Sequence, residues 1–207
     1  MAVADLLWAC PVCGRDRGLT RDDEARCTAC GTRFQRVEGA RIRAVAPDGT
    51  ETRRLAREWV DRLPAPATLV QGARDGPVRA ARVTARPVTS EARVFGEHGY
   101  LNLVEVFGDE LAGELRLHRD RLIVALEPNS GAPASIAGDW PLQELTAVQA
   151  SSSSLQVKRR QVPLVAFRFL DDSVYLWEQL LRAALRDFYG RTGRGVIREF
   201  QPRIVTR

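Results

Sequence analysis

Four cysteines carry the clearest chemical potential in this chain: Cys10, Cys13, Cys27 and Cys30. They form two C-x2-C pairs separated by thirteen residues. Two thiolates three residues apart in a tight turn grip one side of a metal ion, and a second such turn completes a tetrahedron. Gly14 and Gly31 follow the second cysteine of each pair, where such turns need a positive φ. Four sulfur ligands close the coordination shell, and the two histidines, His98 and His118, lie far along the chain. The expected group is therefore one structural Zn2+ rather than a catalytic ion with an open position. The other reading, two disulfides, is disfavoured by a reducing cytoplasm. Disulfides within the C-x2-C pairs would imply a redox site, for which the sequence lacks the βαβ setting.

CPVCG at residues 10–14 and CTACG at residues 27–31, with Trp8 and Phe34 flanking them, make residues 7–37 similar to a zinc ribbon. The resemblance implies two hairpin-like knuckles around one structural zinc. Ribbons serve transcription, RNA and protein-interaction roles alike, so the resemblance alone selects no partner. The intervening loop carries Arg15, Arg17, Arg21 and Arg26 together with Asp16, Asp22, Asp23 and Glu24. Those acids would repel phosphates, which disfavours a nucleic-acid grip by this loop.

No other constellation supports catalysis. His118-Arg119-Asp120 copies a protein-kinase triplet, but Ala125 stands where the metal-binding Asn would be, and no glycine-rich phosphate loop is present. The serine run at residues 151–154 lacks a nucleophile-elbow setting. With two histidines and no cysteine outside the cluster, the expectation is a non-enzymatic protein with no small-molecule substrate.

A chain of 207 residues with 44% hydrophobic and 28% charged residues is ordinary globular material, long enough for one large or two small domains. No apolar run approaches a membrane span. Residues 1–9 include Asp5 and lack a basic leader, so a cytoplasmic address is expected. All 31 basic residues except Lys158 are arginine, a bias that suggests a GC-rich, bacterial genome. The net charge of +5 is uneven: residues 186–207 hold 6 arginines against 2 acids, while the rest is nearly balanced. A basic tail without a basic face lowers the expectation of a nucleic-acid partner.

The cysteine segment, residues 1–48, precedes residues 49–98, which combine an expected amphipathic helix and a linker arm. Leu55, Trp59, Val60 and Leu63 fall at helical spacing over residues 50–63, and Pro64 and Pro66 end the pattern. Residues 65–90, rich in Gly, Pro and Arg, read as an irregular arm with one strand near 78–83. From residue 99 short strands follow, at 100–106, 113–118, 121–126, 140–149, 154–158 and 162–170. Trp140, Leu142, Leu145 and Val148 are candidate core residues. A cap at Asp171-Asp172-Ser173 opens a helix whose stripe includes Val174, Trp177, Leu180, Leu181 and Leu185, with Gly190 ending it. The fold class expected is α+β, mainly β: a small ribbon plus a bent antiparallel barrel capped by a C-terminal helix.

This order, with GELRLHRDRLIVAL at residues 113–126, WPLQELTAV at 140–148 and Trp177 on the last helix, resembles the pleckstrin-homology-like superfamily, most closely its GRAM branch. The resemblance covers residues 99–190 and implies a scaffold that binds lipid headgroups, peptides or protein surfaces without catalysis. Phosphoinositide-binding members carry a basic first hairpin turn; the corresponding residues here, 107–110, are acidic. Lys158, Arg159 and Arg160 read as a turn between strands, either a solvated turn or an anion contact. In the tail, residues 191–207, Arg191, Arg194 and Arg198 interleave with Val196, Ile197 and Phe200. The tail can pack as a strand, meet an anionic membrane at the inner face of the cell, or dock on a partner. The expectation is a zinc-binding adaptor that recruits an unidentified protein partner to an anionic membrane or protein surface. A purely protein-binding scaffold and a nucleic-acid-associated ribbon protein are the alternatives.

Overall fold

In the computed structural model, residues 2–74, 76–95, 101–127, 135–151, 153–198 and 203–206 are described. The chain is α+β and mainly β, with a curled half-barrel sheet and a C-terminal helix. One short helix, α1 (Val3–Leu6), buries Val3 and Ala4 and precedes the first knuckle. A four-stranded antiparallel sheet follows in sequential order: β1 (Ala25–Arg26), β2 (Arg33–Val37), β3 (Arg41–Val45) and β4 (Glu51–Leu55).

The helix expected over residues 50–63 is instead β4 followed by the five-residue α2 (Ala56–Val60). Its first half pairs with β3, Val45 opposite Glu51 through Arg41 opposite Leu55. Neighbouring-strand hydrogen bonds thus override a helical period that only its second half uses. Trp59 of α2 returns over the sheet, meets Phe34 edge-on at 5.7 Å and donates its indole N–H to the Ile42 carbonyl at 3.0 Å. Phe34, Ile42, Ala44 and Trp59 form the small core of this sheet.

The expected arm is also structured. Helix α3 (Pro66–Gly72), with proline in its first turn, packs Val70 inward. The chain then enters β5 (Arg79–Phe95), a 17-residue strand at the centre of the large sheet. Its inward residues, Ala81, Val83 and Ala85, are small, so the alternation was faint among the arginines. The return runs as β6 (Leu101–Phe107) and β7 (Leu111–Leu117), both paired with β5. Residues 107–110 therefore lie at a jog within one long hairpin, and the acidic turn expected there is not the hairpin's end. The true connection, residues 96–100, lies outside the described residues.

The meander continues through β8 (Arg121–Leu126) and β9 (Gly138–Pro141), then a 3-10 turn at Leu142–Glu144. It resumes as β10 (Leu145–Ala150), β11 (Leu155–Arg159) and β12 (Val165–Phe169). Antiparallel pairing of β12 with β5, Phe167 opposite Ala85, joins the two meanders and curls the sheet. Gly113 of β7 is needed here, because a Cβ would collide with the Ala125 carbonyl oxygen of β8. All four expected core residues from the 140–149 stretch are buried.

Helix α4 (Val174–Thr192) closes the concave face. Ser173 caps it by accepting a hydrogen bond from the Leu176 amide at 3.1 Å. Trp177 stacks on Phe169 at 5.0 Å. The helix passes through Gly190 and stops at Gly193, whose φ of 65° places it in the left-handed region. Beyond it, β13 (Gly195–Arg198) and β14 (Arg203–Thr206) form a hairpin, and β14 pairs with β10. The tail is an added sheet edge, one of the three readings open from sequence. No helix among the described residues is long and apolar enough to cross a membrane.

Candidate metal centre

The two knuckles repeat one local geometry. The Gly14 amide donates to the Cys10 carbonyl at 2.8 Å and the Gly31 amide to the Cys27 carbonyl at 2.9 Å. Both glycines have φ near the left-handed region, 76° and 73°. Each knuckle is closed from beyond: Cys10 N–H bonds the Arg15 carbonyl, and Cys27 N–H the Thr32 carbonyl. The knuckles are laced together by Thr28 N–H to the Gly18 carbonyl at 2.8 Å.

This brings the four Sγ atoms within 4.8 Å of one another. Cys10 and Cys30 are 3.7 Å apart, and Cys13 and Cys27 3.6 Å. A regular tetrahedron with metal–sulfur bonds of about 2.3 Å has edges of about 3.8 Å, so the donor set fits one thiolate-bound ion. The cysteines are free thiols, not disulfides. Burial pushes the Cys10 thiol up. At Cys30 burial also acts upward, but hydrogen bonds from Thr32 and the neighbouring thiols outweigh it and hold the group at about 6. Four thiolates this close together would need a cation among them, and the spacing is compatible with one structural metal ion.

The loop between the knuckles does more than connect them. Its charges meet those of the large sheet around Asp172, whose carboxylate is almost fully buried. Arg79 of β5 reaches Asp172 through Nε at 2.6 Å and a terminal nitrogen at 2.9 Å, and it also bonds Asp16 at 2.7 Å. Arg17 bonds the same carboxylate at 2.9 Å and also reaches the Ala80 carbonyl. Trp177 donates its indole N–H to Asp172 at 3.0 Å, and the Ser173 amide does so at 2.9 Å. Arg21 bonds the Asp172 carbonyl and the Asp5 carboxylate. Burial alone would raise the Asp172 carboxyl; the hydrogen bonds and charge of Arg79, then the charge of Arg17, outweigh it and hold the group below the ordinary carboxylate range.

Sequence reasoning assigned this aspartate to a helix cap. Ser173 performs that role, and Asp172 joins the four-cysteine region to the curled sheet. Only its partners reveal this, and they lie 93 and 155 positions away. The loop acids expected to repel phosphates are partly engaged in the same joint, Asp16 with Arg79.

The expected anion contacts are spread over β11, the turn after it, the end of α4 and β13. Lys158 and Arg159 end β11 and Arg160 begins the following turn. Arg159 pairs with Glu144 at 2.7 Å and lies over the Trp140 ring. Arg191 pairs with Asp187 at 3.0 Å, an acid it shares with Arg119 of the former kinase-like triplet. Arg194 is exposed, and Arg198 ends β13. The register aligns Arg198 with Arg203, Arg203 with Ala147 and Ala147 with Lys158, one row across four strands.

No protein-family model matches the chain, and no curated protein is similar to it at a significant level.

Proposed function

We propose that this protein is a non-enzymatic, zinc-stabilised adaptor. Its N-terminal region is a zinc ribbon with Cys10, Cys13, Cys27 and Cys30 on one structural Zn2+, and the curled sheet with α4 is a PH-like binding domain. The adaptor recruits a protein partner to an anionic surface, with the inner face of the membrane as the first candidate.

The observation that carries this reading is the cross-strand row of Arg198, Arg203 and Lys158, which concentrates basic residues from the tail and β11 on one end of the sheet. Each basic residue held near an anionic bilayer contributes about 1 kcal/mol. The joint at Asp172 supports a single body in which the ribbon orients the binding domain, rather than a freely tethered module.

Sedimentation of the zinc-loaded protein with phosphatidylcholine vesicles and with phosphatidylserine-containing vesicles tests it. Salt-sensitive binding to the anionic vesicles that falls about tenfold or more in the triple variant K158Q/R198Q/R203Q is the expected result. Equal failure to bind both vesicles would shift the reading to a protein-binding scaffold. One observation favours that second reading: Arg159 and Arg191 already have acidic partners within the fold.

A further inference from the structure

The outer face of β5, β11 and β12 carries two adjoining cavities. One, of about 390 Å³, lies beside α1 and is bounded by Asp5, Arg21 and Leu170. The other, of about 460 Å³, is bounded by Thr84, Arg86, Phe107, Glu110 and Gln156. Arg168 and Ser153 line both, so the cavities form one groove with Arg168 at its middle.

Arg168 sits on β12 between Phe167 and Phe169, which point into the core, and is itself exposed on the opposite face. Its side chain has no hydrogen bond or ion pair with another described residue. Its cross-strand neighbour is Thr84, whose hydroxyl is buried from solvent and has no partner among the described residues. A hydroxyl desolvated in this way is satisfied when a ligand presents an acceptor.

Two residues along β5 from Thr84, Arg86 is fixed by its Nε–H, which donates to the Gly108 carbonyl at 3.2 Å, and its guanidinium lies 5.6 Å from the Phe107 ring centre. Among the described residues its terminal N–H groups have no acceptor. At the far wall Ser151 and Ser154 close the turn between β10 and β11, their hydroxyls 2.8 Å apart, beside Ser153.

The charges of the groove do not cancel locally. In the first cavity Asp5 is paired with Arg21, and Asp172 with Arg17 and Arg79. Among the described residues lining the second, Glu110 is the one acid against Arg86 and Arg168. Donors therefore converge from two strands and a turn around a positive centre. A planar carboxylate has two oxygens in one plane, whereas a phosphate monoester offers three terminal oxygens in three directions.

We propose that this groove is a binding site for a phosphomonoester, with Arg168 as the central anion contact, Thr84 and Arg86 as flanking donors, and the organic part of the ligand against Phe107. The site stands on the groove itself and not on the adaptor reading, because it shares no residue with the Lys158 row.

The test uses the full zinc-loaded chain, titrated with inorganic phosphate and with glycerol 3-phosphate and followed by amide and arginine Nε–H NMR shifts. Vesicles of phosphatidylcholine with and without phosphatidic acid form a parallel arm. Saturable shifts at residues 84, 86, 156 and 168 are expected. Affinity falls at least tenfold in Arg168→Gln and a few-fold in Thr84→Val, while Arg53→Gln on the small sheet has no effect. Thermal melts of each variant separate lost binding from lost folding. Arg168-dependent binding of glycerol 3-phosphate supports a soluble ligand, and Arg168-dependent binding of phosphatidic acid alone supports a lipid headgroup. Absence of binding by every probe overturns the proposal, as do shifts confined to the tail or unchanged affinity in a folded Arg168→Gln variant. Failure of the K158Q/R198Q/R203Q experiment leaves these readouts unaffected, so the two readings fail separately.

Discussion

The small sheet of residues 25–55 buries Phe34, Ile42, Ala44 and Trp59, whereas the curled sheet and α4 bury Trp140, Trp177, Phe167, Phe169 and a continuous layer of Leu and Val. Beside the first, Leu7, Trp8, Ala9 and Leu19 around the knuckles are buried in a cluster continuous with the large core, and there four cysteines converge. The second has a complete core and no comparable ligand cluster among the described residues. Between them stands Asp172, a buried carboxylate held by arginines from both sides. A four-thiol donor set, a shared apolar core and a buried ion pair thus meet where the two regions join.

Removing the metal should break this comparison most visibly. Structural Zn2+ sites contribute apparent binding energies of about 10–16 kcal/mol, which is folding energy where the core is small. Chelation, or Cys10→Ser, is expected to abolish amide protection across residues 8–34 while β7, β8 and α4 keep theirs. Hydrogen exchange of both forms checks it; a metal-free protein with protected knuckles would show that apolar burial suffices there.

The reverse experiment strikes the large core. Trp177→Ala removes the stack on Phe169 and a donor to Asp172, and should cost about 3–5 kcal/mol in urea unfolding. Metal stoichiometry should persist in the folded fraction.

Asp172→Asn tests the joint. Breaking a buried pair costs about 3–5 kcal/mol, and the Arg79 side of this pair is the buried one, 10% exposed against 37% for Arg17. The folded carboxyl titrates below its ordinary value of 3.8, so its contribution is complete above that value and is lost as pH falls through the folded value. Wild-type stability should therefore drop below about pH 4 more steeply than that of the variant, as measured by thermal melts over pH 2–7. Equal slopes would remove Asp172 from the balance.

The smallest effect is expected at the cap. Ser173→Ala should cost about 1 kcal/mol, through loss of the bond from the Leu176 amide and of the hydroxyl contact with the Asp5 carbonyl. A cost near that of Asp172→Asn would mean that the cap, not the ion pair, holds the two regions together.

Much of this arrangement was legible beforehand because its signals are local. The C-x2-C spacing with glycine after each pair specifies the knuckle turns without reference to anything distant. Strand β8, the buried Trp140, Leu142, Leu145 and Val148, and the apolar stripe of α4 follow from alternation or helical period. Legibility failed where an element depends on its neighbour. Residues 51–55 have no strand pattern of their own and become β4 only because β3 offers an edge. Strand β5 carries Pro87 and small inward residues, the marks of a linker, yet it is held on both sides by β7 and β12. Gly190 looked like a helix stop, but the left-handed residue is Gly193.

By itself, then, the sequence determined the four-thiol donor set, the mainly β fold class and the face that α4 buries, since short-range spacing and hydrophobic period encode each of them. Tertiary structure alone decided that Asp172 meets Arg17 and Arg79, that the tail becomes the outer edge of the sheet, and that Arg168 shares a groove with Arg86 and Thr84. Those juxtapositions join residues far apart in the chain, and no local rule of charge or periodicity specifies which distant partner a side chain will find once the sheet has curled.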